Sequence, residues 1–432
     1  MSNTLSVHLV SLGCPKNLVD SERLLGAATS MGFLPTLDPS SADLIIVNTC
    51  AFIGAAAREA VAAVLEAAEV KKPEAHLVVV GCLASRYGRE LATNLPEASL
   101  VMVPADYHGF TRAVADLFDQ FPPPPKGPFE TWERQPGTPP WRAWLKVAEG
   151  CNHRCAYCLI PSLRGPLVTR NMDSLVKEAA SLAESGVLEI TLVAQDLTAW
   201  REGDKNLADL AQAIAQCGDF SWLRLMYSYP ERLTSPLVKA LAQVPKLVPY
   251  LDVPLQHASP EILRRMGRSG SDPLALIGRL RSWWPNLALR TTLMVGFPGE
   301  TEEDYDQVVR LVEEGAFDHV GVFKFSPEDG TEAATFTGQV PQAIKERRRR
   351  GLLARQRRIS LALNRARVGT ERDILVEGPS DDSELVMTGR AEFQAPEVDG
   401  LIYFDGQQPQ SGQMVKARLT KAGHYDLAAT LI

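Results

Sequence analysis

Three cysteines fall within one eight-residue stretch, CNHRCAYC, as Cys151, Cys155 and Cys158 in a C-x3-C-x2-C array. Thiolates so closely spaced are the ligand set of a metal centre. A four-iron cluster normally takes four Cys ligands, so a compact triplet serves three irons and leaves the fourth open to another molecule, the mark of a reactive cluster rather than an electron store. Two other chemistries use the same residues. A structural zinc ion wants a closed tetrahedron, for which His153 offers the fourth ligand, and CAYC alone has the spacing of a dithiol redox pair.

Four cysteines remain. Cys14, Cys50 and Cys82 each end a strand-like apolar run, in VHLVSLGC, DLIIVNTC and HLVVVGCL. Ligands of an open α/β sheet bind beyond the carboxyl ends of its strands, so three thiols at three such ends are expected in one crevice. A single free Cys is most often a small buried hydrophobe; Cys217, alone in LAQAIAQCG, is expected to be that.

The elements that must hold these thiols follow from periodicity. Over residues 1–120 the three runs and SLVMVP alternate with helical stretches such as AAAREAVAAVLEAAE, which predicts an open, mainly parallel α/β domain. The proline-dense FPPPPKGPFETWERQPGTPP then reads as semi-rigid, which places a linker at residues 121–137. From 138 to 367 six strand-like runs are each followed by a helical pattern: WLKVAEG, EITLVAQD, WLRLMYSYP, YLDVPLQH, ALRTTLMVGF and HVGVFKFS. Six such units predict an incomplete TIM-like barrel with its active groups on the loops of the C-terminal face. The triplet follows the first strand, Gln195 and Asp196 the second, and Gln256 and His257 the fourth, facing the same mouth. KERRRRGLLARQRR, residues 345–358, has eight basic side chains and one acidic; it reads as a solvated helix face, with contact to rRNA the alternative. Short alternating runs in 368–432, RDILVEG, ELVMTGR, LIYFDG and MVKARLT, predict a small antiparallel β-barrel.

Composition sets the bounds. A chain of 432 residues, 45% hydrophobic and 22% charged, has material for several cored domains in one α/β protein. No basic stretch leads into a long apolar one at the N-terminus, and no run of about eighteen apolar residues occurs, so a cytoplasmic location is expected. Seven cysteines, an odd number gathered at strand ends and in one array, fit metal ligation in a reducing compartment better than a disulfide framework. The net charge of -7 disfavours a general nucleic-acid binder.

With its aromatic Tyr157 the triplet resembles the signature of the radical S-adenosylmethionine (SAM) enzymes. There the open iron chelates the amino and carboxylate groups of SAM, an electron from the cluster cleaves the sulfonium, and the resulting 5'-deoxyadenosyl radical abstracts a hydrogen. SLGCPKNLVDSE, NTCAFIGAAAREA and VGCLASRYGREL resemble the three cysteine motifs of the methylthiotransferases, a resemblance that spans nearly the whole chain. CPKN followed by LVDSE is typical of the RimO branch, which modifies a ribosomal protein; the tRNA-directed MiaB branch usually has Gln after that cysteine. CLIPSLRGPLVTR, VAQDLTAW, DVPLQHASPEILRRMGR and VGFPGETEEDY continue it.

The resemblance implies two 4Fe-4S clusters, one on Cys14, Cys50 and Cys82 and one on Cys151, Cys155 and Cys158, and two molecules of SAM. It implies SAM contacts at Tyr157, Gln195, Asp196, Gln256 and Gly296, the last in the GFPGE turn. The N-terminal cluster would carry a sulfur that the first SAM methylates; the radical from the second would take a hydrogen from the β-carbon of an aspartate in the twelfth small-subunit ribosomal protein, near the decoding centre. Placement, not acid–base catalysis, would be the protein's main contribution, and no residue beyond the cluster ligands is assigned a catalytic role. A sulfur donor and an electron donor are further implied partners; a membrane is not. The last module resembles a TRAM domain, which grips RNA in the tRNA branch. From Val368 to Ile432, however, eleven acidic residues face five basic ones, a net -6 suited to a basic protein rather than to phosphates. A tRNA adenosine methylthiotransferase and a non-catalytic, zinc-stabilised RNA or ribosome factor are the alternatives.

Overall fold

The structure is a computed structural model that describes residues 5–118, 134–268, 270 and 272–432; of the expected linker, residues 121–133 lie outside the described residues. The chain forms two compact units. One comprises residues up to Thr138 with Glu149–His153 and Cys158–Val168, the other Pro139–Ala148, Arg154–Tyr157 and Thr169–Ile432.

In the first unit, runs of Val, Ile and Leu make β1 (Ser6–Ser11), β2 (Leu34–Pro35), β3 (Leu44–Thr49), β4 (His76–Gly81) and β5 (Leu100–Met102), a parallel sheet in the order β2-β1-β3-β4-β5. The crossovers are α1 (Pro15–Ser30), α2 (Gly54–Val70) and α3 (Cys82–Asn94), with α4 (Tyr107–Leu117) after β5. Strand β3 is buried along its whole length because helices cover both faces, as a parallel sheet requires. Side chains alternate along it: Leu44 and Ile46 pack with Leu24, Phe33 and Phe110, while Ile45 and Val47 pack with Val64, Leu83 and Leu91. The two-residue β2 was not among the anticipated strands, being too short to show a period.

The next elements are β6 (Arg142–Lys146), the short β7 (Ala148–Glu149), α5 (Ile160–Arg164) and β8 (Val168–Thr169), of which α5 belongs to the first unit. The second unit continues through α6 (Met172–Glu184), β9 (Glu189–Val193), α7 (Leu207–Gln216), β10 (Trp222–Leu225), α8 (Ser235–Leu241), β11 (Leu247–Asp252), α9 (Pro260–Arg265), α10 (Pro273–Trp283), β12 (Ala288–Val295), α11 (Glu302–Gly315) and β13 (His319–Lys324). All six anticipated strands are present, parallel and in the order β13-β12-β11-β10-β9-β6. Their helices start where side chains satisfy free amides: capping boxes pair Asn206 with Asp209 and Thr301 with Asp304. Cys217 caps the end of α7 half-buried instead of lying in a core, because it falls on the helix's last turn.

Helix α12 (Gln342–Arg367) leads to β14 (Glu371–Ser380), β15 (Ser383–Ala391), β16 (Ile402–Phe404), β17 (Met414–Ala422) and β18 (Leu427–Leu431), closed as β14-β15-β16-β18-β17. Strand β18 was not anticipated, and its pairing with β16 is parallel, the one parallel pair in an otherwise antiparallel barrel.

Charge, not only apolar contact, joins this small barrel to the large one. Glu189 at the start of β9 is fully buried and accepts from Arg224 Nε at 2.7 Å and from Arg390 Nη2 at 2.5 Å. Burial pushes its carboxyl up, and the Arg390 and Arg224 guanidiniums overcome this to hold it at about 2. Glu377 shares Arg390 and accepts from Trp141 Nε1 at 3.0 Å; Asp399, also buried, takes Tyr250 Oη at 2.7 Å and Arg290 Nη1 at 2.6 Å. Replacing Glu189 by Leu strands two buried guanidiniums and is expected to cost about 3–5 kcal/mol, read as a lower denaturant midpoint at unchanged slope.

Candidate active site

The N-terminal thiols stand at the ends of three neighbouring strands. Cys14 follows β1 and precedes the first turn of α1, Cys50 follows β3, and Cys82 opens α3 directly after β4. The loops touch: Gly13 has φ +96, and a Cβ there would lie 2.7 Å from the Cys50 Cβ, so the chain before Cys14 runs against Cys50 only because it is glycine. Cys14 and Cys50 are half-buried and Cys82 is buried. Burial pushes the Cys50 and Cys82 thiols up, and neighbouring thiols push the same way, Cys14 on Cys50 and both Cys50 and Cys14 on Cys82.

Beside them lies a residue that the sequence reading left unassigned. Arg164, at the end of α5, is 3% exposed and donates from Nε to the Cys82 sulfur at 3.2 Å. Its other nitrogens reach Asp20 Oδ2 at 2.6 Å, Asn17 Oδ1 at 2.7 Å and Glu149 Oε2 at 3.3 Å. Asp20 is itself fixed by Tyr107 Oη at 2.6 Å, and Asn17 by the Leu12 carbonyl at 2.5 Å. CPKNLVDSE is therefore, in this fold, the seat of a buried guanidinium: Asn17 and Asp20 face it from one side of α1. A cation so placed favours thiolate over thiol. The available signal was a lone charged residue, Arg164, closing the short IPSLR turn.

The C-x3-C-x2-C array is divided between the units, Cys151 and Cys158 in the first and Cys155 in the second. Cys151 and Cys158 are half-buried, and their sulfurs accept from the His153 and Ile160 amides at 3.5 and 3.4 Å. In the second unit, burial raises the Cys155 thiol against the pull of Arg268 and a hydrogen bond involving Tyr157. Arg268, 6% exposed, donates to Tyr157 Oη at 3.4 Å and to the Pro254 carbonyl at 2.8 Å and lies over the Tyr229 ring at 4.6 Å. It too was not singled out in the sequence. Among the described residues, no three His, Cys, Asp or Glu side chains surround one point as ligands of a single ion, the arrangement a closed zinc site needs. Thiolates of a cubane each bind a different iron, and the donor set here, soft sulfurs at loop ends with a buried guanidinium at hand, fits such a cluster.

At the carboxyl ends of the barrel strands, Gln195 is half-buried after β9. Asp196 is buried and orders the turn Leu197–Ala199, accepting from the Ala199 amide at 3.1 Å and Thr198 Oγ1 at 2.6 Å, with Arg232 Nε at 3.2 Å. Gln256 adopts φ +71, and its backbone is sewn to β12 through Thr292 and Met294. His257 is a correction to the reading that it faces the mouth: it is fully buried, accepts from the Ser259 amide at 3.0 Å, and burial lowers it to about 3, so it stays neutral. Gly296 has φ +74, and the Lys345 side chain occupies the space a Cβ would need. The turn it opens is held by Glu300, which accepts from the Gly296 amide and, at 3.0 Å, from the Phe297 amide and pairs with Arg348 at 3.0 Å.

Three family profiles match the chain: "Uncharacterized protein family UPF0004" over residues 6–103, "Radical SAM superfamily" over 145–312 and "TRAM domain" over 368–432. In the solved radical SAM methyltransferase TsrM from Kitasatospora setae, at 17% identity, the same fold covers 74% of this chain and 73% of that one with a TM-score of 0.55. Fold and profile together define a radical SAM enzyme, a class that uses SAM and a 4Fe-4S cluster. The protein named ribosomal protein uS12 methylthiotransferase RimO from Anaeromyxobacter sp. (strain Fw109-5) is 43% identical over 99% of this chain and 93% of its own length, and that of Trichlorobacter lovleyi 41% over 99% and 98%. This chain belongs to the RimO family of methylthiotransferases.

Glu300 generates a pH test. Burial raises its carboxyl to about 7 against Arg348 and the two amides, from 4.5 when exposed. Through this carboxyl the folded state holds more protons than the unfolded one between these values, a contribution that falls by about 3 kcal/mol as pH rises through that window. His257 beside it, lowered to about 3, contributes with the opposite sign below its ordinary value. Glu300→Gln is expected to remove the falling contribution, so that the stability difference between wild type and variant changes by about 3 kcal/mol across denaturant titrations run from pH 4 to pH 8.

Proposed function

We propose that this chain adds a methylthio group to the β-carbon of an aspartate of ribosomal protein uS12, using SAM and two 4Fe-4S clusters. The observation that carries the reading is the second thiol set: Cys14, Cys50 and Cys82 at adjacent strand ends, in a chain whose full-length relatives at 41–43% identity are named for that activity. We assign residues 1–120 to the auxiliary-cluster domain, 121–137 to the linker, 138–367 to the radical SAM domain and 368–432 to the TRAM domain, and place the protein in the cytoplasm. No helix among the described residues is long and apolar enough to cross a membrane.

Bound together, the clusters and SAM supply the electron, the hydrogen-abstracting radical and the methylthio donor. The residues of the chain bind and orient. Cys151, Cys155 and Cys158 hold one cluster and Cys14, Cys50 and Cys82 the other. Arg164 donates to Cys82 and offsets the negative charge of the thiolates around it; Arg268 offsets charge near Cys155 without a hydrogen bond to it. Tyr157, Gln195, Asp196, Gln256 and Gly296 contact SAM, and Asp196 also orders the loop after β9. His257, neutral and enclosed, packs the barrel and takes no proton at neutral pH.

The acidic C-terminal module supports a basic protein substrate, with one revision. Glu377, Glu397 and Asp399 are turned toward Arg142, Arg290 and Arg390 and contribute to cohesion, not docking. Asp381, Asp382 and Glu384, exposed on the β14–β15 hairpin, remain as the outward acidic group. The test is methylthiolation of purified uS12 and of tRNA by the reconstituted enzyme, read by mass spectrometry. A methylthio group on a uS12 aspartate, with association slowed when the three hairpin acids become Lys, is the expected result; modification of tRNA and not of uS12 would contradict it.

A further inference from the structure

Helix α12 sorts its cations by face. Those off the outer face each have a partner: Lys345 donates to the Phe325 carbonyl at 2.8 Å, Arg348 to Glu300 and Arg367 to Asp318, while the part-exposed Arg349 and Arg355 reach the Val322 carbonyl at 3.3 Å and Glu313 at 3.0 Å. Arg347, Arg350, Arg357, Arg358 and Arg365 are exposed. At 3.6 residues per turn these five fall within an arc of about 100° along about 27 Å of helix. From Arg347 to Arg367 the sequence contains no acidic residue. Arg347 meets Glu302, and Arg350 meets Glu346, as exposed pairs at one end, and Arg357 approaches His424 Nδ1 at 3.3 Å. No carboxylate among the described residues pairs with Arg358 or Arg365. A merely solvated helix face interleaves both signs, and a chain of net charge -7 has acids to place here. Packed against α12, strand β17 adds exposed Lys416, Arg418 and Lys421, the latter two in surface pairs worth little.

The geometry points to this face as a docking surface for the phosphate backbone of RNA. The inference rests on the function proposed above: a basic protein alone is repelled by a single-sign arginine stripe, whereas the same protein within a ribonucleoprotein brings phosphates to it. The acidic hairpin and the arginine stripe then divide the two components of one target. An anionic membrane is the other phosphate source, but a membrane-surface helix buries an apolar face, and no large apolar side chain between Arg347 and Arg367 is exposed.

Neutralised phosphates release counterions, so log K falls with log salt by about 0.7–0.9 per contact. Binding of the holoenzyme to purified small ribosomal subunits is measured across a salt series, for wild type and for the triple variant R350A/R358A/R365A, with circular dichroism to confirm folding. The variant is expected to bind more weakly at low salt with a slope shallower by about two, to methylthiolate RNA-free uS12 at the wild-type rate, and neither protein is expected to bind vesicles of anionic lipid. Equal slopes for wild type and variant would overturn the inference, as would vesicle binding that the variant loses. If wild type modifies uS12 in neither form, the proposed substrate is wrong, while the slope comparison, a binding measurement, still decides the surface.

Discussion

A guanidinium taken out of water must find its full complement of acceptors, and Arg164 has them: Asp20, Asn17, Glu149 and the Cys82 sulfur. This requirement organises the first unit. It fixes the first helical turns of α1, through Asn17 and Asp20, beside the thiol that opens α3. It draws into that unit the short helix α5, which begins two residues after Cys158. Leu159 and Leu163 of the same segment pack with Leu83 and Leu91, so apolar contact and charge act on the segment together. Losing either carboxylate partner would leave a buried cation short of charge, which is far more costly than losing a surface pair.

The same device recurs in the second unit. Arg268 is enclosed next to Cys155 and Tyr157, and Arg390 and Arg224 close on Glu189 where the small barrel meets the large one. Arginine suits these places because its planar fork serves several acceptors at once and keeps its charge when buried. The division of the C-x3-C-x2-C array between units follows from this arrangement of neighbours. The outer two cysteines belong with the Arg164 cradle, and the middle one belongs with Arg268.

Much of the fold was legible because it is periodic and local. Parallel strands buried on both faces are continuous Val and Ile runs, so β1, β3, β4, β5 and the six barrel strands could be seen, and with them the position of Cys14, Cys50 and Cys82 at strand ends. Strands β2 and β18 escaped, the first for want of length and the second because LAATL carries little β-branched character. The cysteines of the site were visible by residue type; Arg164 and Arg268 were not, since their partners lie 15 to 147 and 14 to 111 residues away and no local pattern encodes such contacts. Charge counted along the sequence misled in part for the same reason: Glu377 and Asp399 are acidic residues of the last module that the fold spends on the barrel. His257, polar and placed after a strand, was enclosed by Glu300 and Ser259 instead of facing solvent.

The proposed division of labour between the two thiol sets is open to direct measurement. It is tested by measuring 5'-deoxyadenosine and methylthiolated uS12 in the same reactions, with folded variants of each set. Alanine at Cys151, Cys155 or Cys158 should abolish both products. Alanine at Cys14, Cys50 or Cys82, or Met at Arg164, should leave 5'-deoxyadenosine formation in place and remove the methylthiolated protein. Equal loss of 5'-deoxyadenosine in both groups would contradict the division of labour.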